Sequence, residues 1–328
     1  MRLVGKIFGG LLLLIIVAAA AASMWFWFTP VGVNNYINKV TLQTFLLGSP
    51  ELLSNIGAID NTPLDFHSGK LDDYTKEHEE ELIARLKKAR AGLDKYGPDG
   101  LEGQERLSWE ITAWFFDDLI RQAEYVYGGY RVNQISGVLV STPSFLTDTH
   151  VIKNEKSVKR YISRLNEFGR VLSDVKARVE DDRAHGVIPP DFVIEKSLAG
   201  MRSFIEGGAA ENPLVTTLPA KLDEIEGLSD EKKAELMAEA TEAVETQVIP
   251  GYEAMIELFE ELLQNTDHNA GIWRIPDGEE IYAAALKSNT TTDFTADEIH
   301  QTGLSEVARI EQEMDAILVS QGMMEGTV

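Results

Sequence analysis

The chain of 328 residues has no cysteine. That excludes disulfides, iron–sulfur clusters, thiolate zinc sites, cysteine nucleophiles and a lipid anchor on cysteine, and it leaves the redox compartment open. Basic side chains are scarce, with 30 Lys and Arg against 53 Asp and Glu and a formal charge of -23. Such a balance speaks against a nucleic-acid partner, because neutralising phosphates takes a surplus of Lys and Arg on some face. An acid surplus of this kind reads as a hydrated surface and is not evidence for a cationic ligand. Histidine is also thin. The six are His67, His78, His150, His185, His268 and His300, and no two lie three to five residues apart. The pair of histidines one helical turn apart that a zinc helix needs is therefore missing. Phosphate-cradling glycine loops, a G-x-S-x-G elbow and an EF-hand loop are absent as well.

What is present is an ordinary globular content, 44% hydrophobic and 8% aromatic, in enough chain for one large domain or two smaller ones. The one long hydrophobic run stands at the start. Arg2 and Lys6 precede an uncharged stretch over residues 7–28. As a helix this reaches about 33 Å, enough for a hydrocarbon core of about 30 Å. One reading is a cleaved signal peptide, with residues 11–17 as its apolar region and a small-residue site at Ala20, Ala21 and Ala22. The other is an uncleaved anchor with Trp25, Phe26, Trp27 and Phe28 as the interfacial aromatic belt. Both place Arg2 and Lys6 in the cytoplasm, and everything beyond Thr29 in the periplasm, anchored to the inner membrane or released. The expected organisation is thus a leader over residues 1–29 and a helical region over 30–328, with all 53 acidic residues beyond the leader.

That region reads as all-α, built from long antiparallel amphipathic helices. Leu82, Leu86, Ala89, Leu93 and Tyr96 form one stripe, stopped by Gly97 and Pro98. Ile111, Phe115, Leu119, Ala123 and Val126 form a second. After Asn154, the series Val158, Tyr161, Leu165, Phe168, Leu172, Val175 and Val179 steps by three and four to a stop at Gly186, Pro189 and Pro190. A shorter helix is expected over residues 191–206. Ser229 is the expected N-cap of a segment reaching residue 264, with Pro250 and Gly251 kinking or splitting it. Thr295 and Glu298 open the last helix as a capping box, with Ile299, Val307, Ile310, Met314 and Ile317 on one face. Residues 134–141 are the best candidate for an extended segment, and residues 289–292 read as a loop.

Most candidate chemistry has a plainer explanation. His78 and Glu79 begin a zinc-helix pattern, but position 82 is leucine. Ser229 and Lys232 have the spacing of a Ser-x-x-Lys pair, though capping accounts for the serine. Glu180, Asp181 and Asp182 form an acidic cluster beside Arg178 and Arg183, which is read first as a solvated face and second as a site for a divalent ion or for metal-independent hydrolysis. Two segments are harder to assign to packing. Asn133 and Gln134 put donor-and-acceptor amides into a loop that suits holding a peptide backbone. Tyr282, Thr290 and Thr291 follow the turn around Trp273, Pro276 and Gly278. These five, Asn133, Gln134, Tyr282, Thr290 and Thr291, are the candidate substrate-binding residues.

The succession N-Q-I-S-G (133–137), R-V-E-D-D-R-A-H-G-V-I-P-P-D-F-V-I-E-K (178–196), P-D-G-E-E-I-Y-A-A-A-L (276–286) and T-T-T-D-F-T-A-D-E-I-H-Q-T-G-L-S-E-V-A-R-I-E-Q-E-M (290–314) resembles a bacterial family, domain of unknown function 885, from about Leu42 onward. The resemblance implies a mostly helical, exported protein about twice this length. It further implies a zinc metallopeptidase-like enzyme whose metal helix carries H-E-x-x-x-G-H-H in the second half, with water polarised by zinc and a glutamate. This chain stops at Val328, ahead of that region. No catalytic or metal residue is therefore assigned, no cofactor is expected on this chain, and zinc is expected only in a full-length relative. The expectation is an N-terminal portion that takes a peptide substrate only in outline and meets the membrane through its first helix. A non-catalytic helical binding module at the envelope is the alternative.

Overall fold

The computed structural model describes residues 32–323, which places the leader and residues 324–328 outside the described residues. Eleven principal helices organise that span, and no strand occurs among the described residues. Helix α1 (Val33–Thr41) runs on through a wide π turn, Leu42–Leu46, to α2 (Pro50–Ile56). Then come α3 (Lys76–Leu93), α4 (Gly103–Gln122), α5 (Val138–Ser144), α6 (Glu155–Ala184) and α7 (Asp191–Ile205). Three short turns, Gly208–Glu211, Pro213–Thr216 and Leu218–Asp223, lead to α8 (Asp230–Ala243), α9 (Ile249–Leu263), α10 (Gly278–Thr290) and α11 (Ala296–Ser320). No helix among the described residues is long and apolar enough to cross a membrane.

Helix α6 is the axis. Its start is a capping box, in which Asn154 Oδ1 accepts from the Ser157 N–H at 3.0 Å and Ser157 Oγ accepts from the Asn154 N–H at 3.0 Å. All seven residues of its predicted stripe are buried, and they form the main core with α7, α8 and α9. The segment after Ser229 also forms as expected, with Ser229 Oγ accepting from the Lys232 N–H at 3.2 Å. Pro250 does not break it. A π turn over Val244–Val248 lets the Ile249 N–H reach the Val244 carbonyl, so the chain passes the residue that lacks a donor and continues as α9.

A smaller core joins α1, α3 and α4 through Val40, Leu86, Ala89 and Phe116. Here one expectation is overturned. Helix α4 buries Ala113, Phe116 and Asp118, while Ile111 and Phe115 of the predicted stripe face outward, Ile111 at 58% exposure. The helix carries apolar residues on most of its circumference, from Trp109 to Ile120, so periodicity does not single out the packed face. The helix also ends at Gln122, short of Ala123 and Val126.

The two units are tied by polar contacts. Arg164 of α6 is fully buried and donates to Lys70 O at 2.8 Å, Ser54 Oγ at 2.8 Å and His150 Nδ1 at 2.7 Å, with its guanidinium 4.7 Å from the Phe145 ring centre. Arg160 reaches the buried Asp65 carboxylate. Two arginines of α6 thus gather the irregular chain between α2 and α3 onto the axis helix, which is how so little regular structure there stays ordered.

Residues 134–141 are not extended. Gly137 takes φ of 95° and starts α5 at Val138. A side chain at 137 would be strained by that φ, and its Cβ would fall 2.7 Å from the Arg131 carbonyl. The apolar, β-branched run that suggested a strand instead opens a seven-residue helix that buries Val138 and Leu139 and leaves Val140 exposed. Residues 289–292 differ too, since α10 continues to Thr290 before Thr291 ends it at φ of 56°.

Candidate functional site

The sequence-derived amides Asn133 and Gln134 sit at the edge of a cavity of about 320 Å³ between α5 and α7, closed at its base by α9. Its shape follows from a missing donor. Pro143 lies inside α5 and offers no N–H to the Leu139 carbonyl four residues before it. Tyr252 of α9 donates its hydroxyl to that carbonyl at 2.7 Å, pinning α5 across the core. The Tyr252 phenol is pushed far above its ordinary range by burial, so it stays a donor. Phe204 of α7 packs against the Tyr252 ring with centres 4.7 Å apart. Leu139, Val140, Met201 and Phe204 make the walls predominantly apolar.

Most polar groups at this cavity are already engaged. Asn133 Oδ1 accepts from the N–H groups of Ile135 and Ser136 at 2.9 and 2.8 Å, and its Nδ2 donates to Ser136 Oγ at 2.9 Å. Asn133 therefore shapes the loop as an Asx turn and has little left for a ligand. Ser197 Oγ and Ser144 Oγ donate to carbonyls of their own helices. Gln134 differs. Its side chain makes no hydrogen bond among the described residues, and its Oε1 is buried. Lys196 of α7 is the second free group, exposed on the lining and without an ion pair among the described residues.

The other sequence candidates do not line this cavity. Tyr282 and Thr290 lie on α10 and Thr291 caps its end; α10 packs on α4 through Ser288 Oγ donating to Asp118 Oδ2 at 2.7 Å. Thr290 Oγ1 donates to the Leu286 carbonyl at 2.8 Å, and Thr291 closes the helix with its N–H on the Lys287 carbonyl at 2.9 Å. Tyr282 is about half exposed on that helix. Residues that sequence reasoning passed over, Lys196, Gly200 and Tyr252, come from α7 and α9, more than fifty residues from Gln134. Two of the stretches that carry the family resemblance, 133–137 and 178–196, meet at the cavity through Gln134 and Lys196.

Two members of the acidic cluster, Asp181 and Asp182, are held in ion pairs, while Glu180 is exposed and has none among the described residues. Asp181 Oδ2 accepts from Lys76 Nζ at 3.0 Å and from the Tyr127 hydroxyl at 3.2 Å, and the Lys76 hydrogen bond holds its carboxyl below the ordinary range. Asp182 is pushed up by burial, against the pull of Arg131 Nε at 3.1 Å. Glu79 pairs with Arg178. Among the described residues no three His, Asp or Glu side chains are arranged to hold a metal ion. His67 comes nearest, but its Nε2 meets Asp60 at 2.7 Å while its Nδ1 faces Asp65 at 3.4 Å, so the two carboxylates stand on opposite edges of one ring. The described residues therefore do not fit a zinc ion.

No curated protein matches the chain. A solved structure, a candidate lipoprotein from Colwellia psychrerythraea, is similar to it with a TM-score of 0.78 at 24% identity, over 90% of this chain and 53% of that one. At that identity the likeness shows the fold alone, and this chain spans about half the length of that protein. A family profile matches residues 50–328, and the chain belongs to DUF885, a family of bacterial proteins of unknown function.

Proposed function

We propose that this chain is the N-terminal half of a zinc metallopeptidase-like protein of the cell envelope, inactive alone because its zinc-binding residues belong to a second half. The observation that carries the reading is α11. Its 25 residues include none that is buried, yet Leu304, Val307, Ile310, Met314 and Ile317 lie on it exposed. A helix amphipathic in sequence and bare in structure lacks the surface it was patterned for. The span of about half the similar structure points the same way. The described residues would contribute helical scaffold and a substrate cleft at Asn133 and Gln134, with Tyr282, Thr290 and Thr291 on a separate face. Zinc, when bound by the second half, would supply a polarised water. Envelope location is supported by the hydrophobic leader and by the lipoprotein description of the structural neighbour. With no cysteine in this chain, attachment would fall to the leader itself.

A second reading, a non-catalytic helical binding module at the envelope, draws on the cavity, which needs no metal. The two separate cleanly. Genomic sequence beyond codon 328 should encode H-E-x-x-x-G-H-H in frame or in an adjoining gene, and the two halves together should hydrolyse peptides in a chelator-sensitive way where this chain alone does not. A stop followed by unrelated sequence would overturn the peptidase reading and leave the binding module.

A further inference from the structure

The protein carries 53 acidic side chains against 30 basic ones, yet one cavity reverses that balance. It lies between α1 and α3, holds about 740 Å³, and is lined by Lys39, Arg85, Lys88 and Lys95 with no acidic residue among its walls. Asp94, beside Lys95, is engaged by Arg90. We propose that this cavity seats the headgroup phosphate of an anionic phospholipid in the membrane that the leader enters. The inference rests on the envelope reading, with the leader kept as an anchor.

Three observations carry it. The first is Arg85, the one arginine among the described residues that makes neither a hydrogen bond nor an ion pair. Its Nε and Nη2 are covered and have no acceptor, which leaves Nη1 as the uncovered nitrogen. A guanidinium partly stripped of water and lacking a counter-charge is costly, and an anion at Nη1 would offset that charge.

The second is register. Helix α1 runs antiparallel to α3: Tyr36 donates its hydroxyl to the Ala89 carbonyl at 2.7 Å, and beyond the π turn a Cβ on Gly48 would lie 3.4 Å from Arg85 Nη1. Between those ends Val40 packs with Leu86 and Ala89, so the neighbouring Lys39 stands level with Lys88 on the cavity wall. Arg85 and Lys88 are one turn apart on one face of α3, with Cβ atoms about 5–6 Å from each other. Three cations thus come within reach of a single phosphate.

The third is place. The uncharged run ends at Phe28 and α1 starts at Val33, so the chain between them spans at most about 18 Å even fully extended. Lys39 lies only about 9 Å further along α1. An anchor over residues 7–28 therefore keeps the cavity close to the headgroup layer. Leu47, about half exposed on the same lining, offers an apolar contact to the glycerol and first acyl carbons that a soluble phosphate would not use. A zwitterionic headgroup would set its own cation against the lysines.

The test is native mass spectrometry of the full chain in non-ionic detergent micelles, with dioleoyl phosphatidylglycerol and dioleoyl phosphatidylcholine at equal concentration. The anionic lipid should be retained at least about fivefold more than the zwitterionic one. Arg85→Gln with Lys88→Gln should bring that ratio close to one. Lys153→Gln with Lys156→Gln removes the same charge from exposed lysines off the cavity and should leave the ratio unchanged. Lys88 is exposed, so Lys88→Gln alone should keep the thermal unfolding curve of the parent and still lower the ratio. Glycerol 3-phosphate or triglutamate at equal concentration should not displace the lipid. A ratio near one in the parent, an undiminished ratio in either cavity variant, an equal fall on changing Lys153 and Lys156, or displacement by either soluble anion would each overturn the proposal. None of these outcomes bears on the zinc-binding residues of a second half, which are read from the downstream sequence and the chelator response.

Discussion

His150, one of two buried histidines, makes the stability of this protein pH-dependent. His150 accepts from Arg164 at Nδ1, so its proton sits on Nε2, which donates to the Ser157 carbonyl at 3.2 Å. Burial, with the Arg164 charge beside it, lowers its pKa from the ordinary 6.5 to about 3. The folded state therefore holds the neutral ring, and the unfolded chain takes up a proton first as pH falls. The contribution of His150 to stability is complete above about pH 6.5 and drains away between there and about pH 3. The loss approaches about 1.4 kcal/mol per pH unit at its steepest. His150→Gln should be less stable than the parent at pH 7, and the gap should narrow steadily towards pH 5 in urea unfolding. A gap that stays constant over that range would remove His150 from the pH response.

At the scale of elements, the packing of α9 on α6 turns on one missing side chain. A Cβ on Gly251 would lie 2.6 Å from Leu172 Cδ1 and 3.2 Å from Leu172 Cβ, and Leu172 is itself buried in the main core. At an unpacked helical site Gly→Ala gains up to about 1 kcal/mol. Here overpacking reverses the sign, and Gly251→Ala should cost about 1–3 kcal/mol by chemical denaturation. Adding Leu172→Ala should recover part of that loss, giving a coupling energy that two independent sites would not show. Element existence was legible where one face is apolar and the opposite face is not: α6 has a single stripe of seven residues, and the structure buries all of it. Helix α4 was legible as a helix but not in its packed face, because apolar residues surround it. Helix α5 was misread as extended because a run of valine and leucine after a glycine has no period long enough to decide between a strand and one turn of helix. The site was half legible. Asn133 and Gln134 announced themselves as amides in a glycine-bounded loop, but Lys196 and Tyr252 reach the cavity through tertiary packing alone, and no local pattern marks a lysine that will lack an ion pair.

For the molecule as a whole, the bare face of α11 matters most. Val307, Ile310, Met314 and Ile317 follow steps of three, four and three, the narrow seam of a two-helix contact rather than the broad stripe of a core helix. Glu306, Glu311 and Glu313 flank the seam, and Arg309 pairs with Glu306 and Glu313 at 2.7 Å each, leaving the flanks net acidic. Two copies pairing through this seam, parallel or antiparallel, would set glutamate against glutamate. The apolar seam favours association while the flanks oppose it, which suits a partner helix with basic flanks and disfavours self-pairing. Salt should shift that balance, since screening weakens the repulsion and leaves the apolar attraction in place. In sedimentation of the full chain in mild detergent, self-association should be slight at low ionic strength and rise at about 0.5 M salt, where the Debye length falls to a few ångströms. The double variant Ile310→Glu, Met314→Glu should abolish that rise. Because neither side chain is buried, it should also leave the unfolding free energy within about 0.5 kcal/mol of the parent. A loss of several kcal/mol instead would mean that α11 packs back on the body of this chain, and the case for a missing partner surface would fall with it.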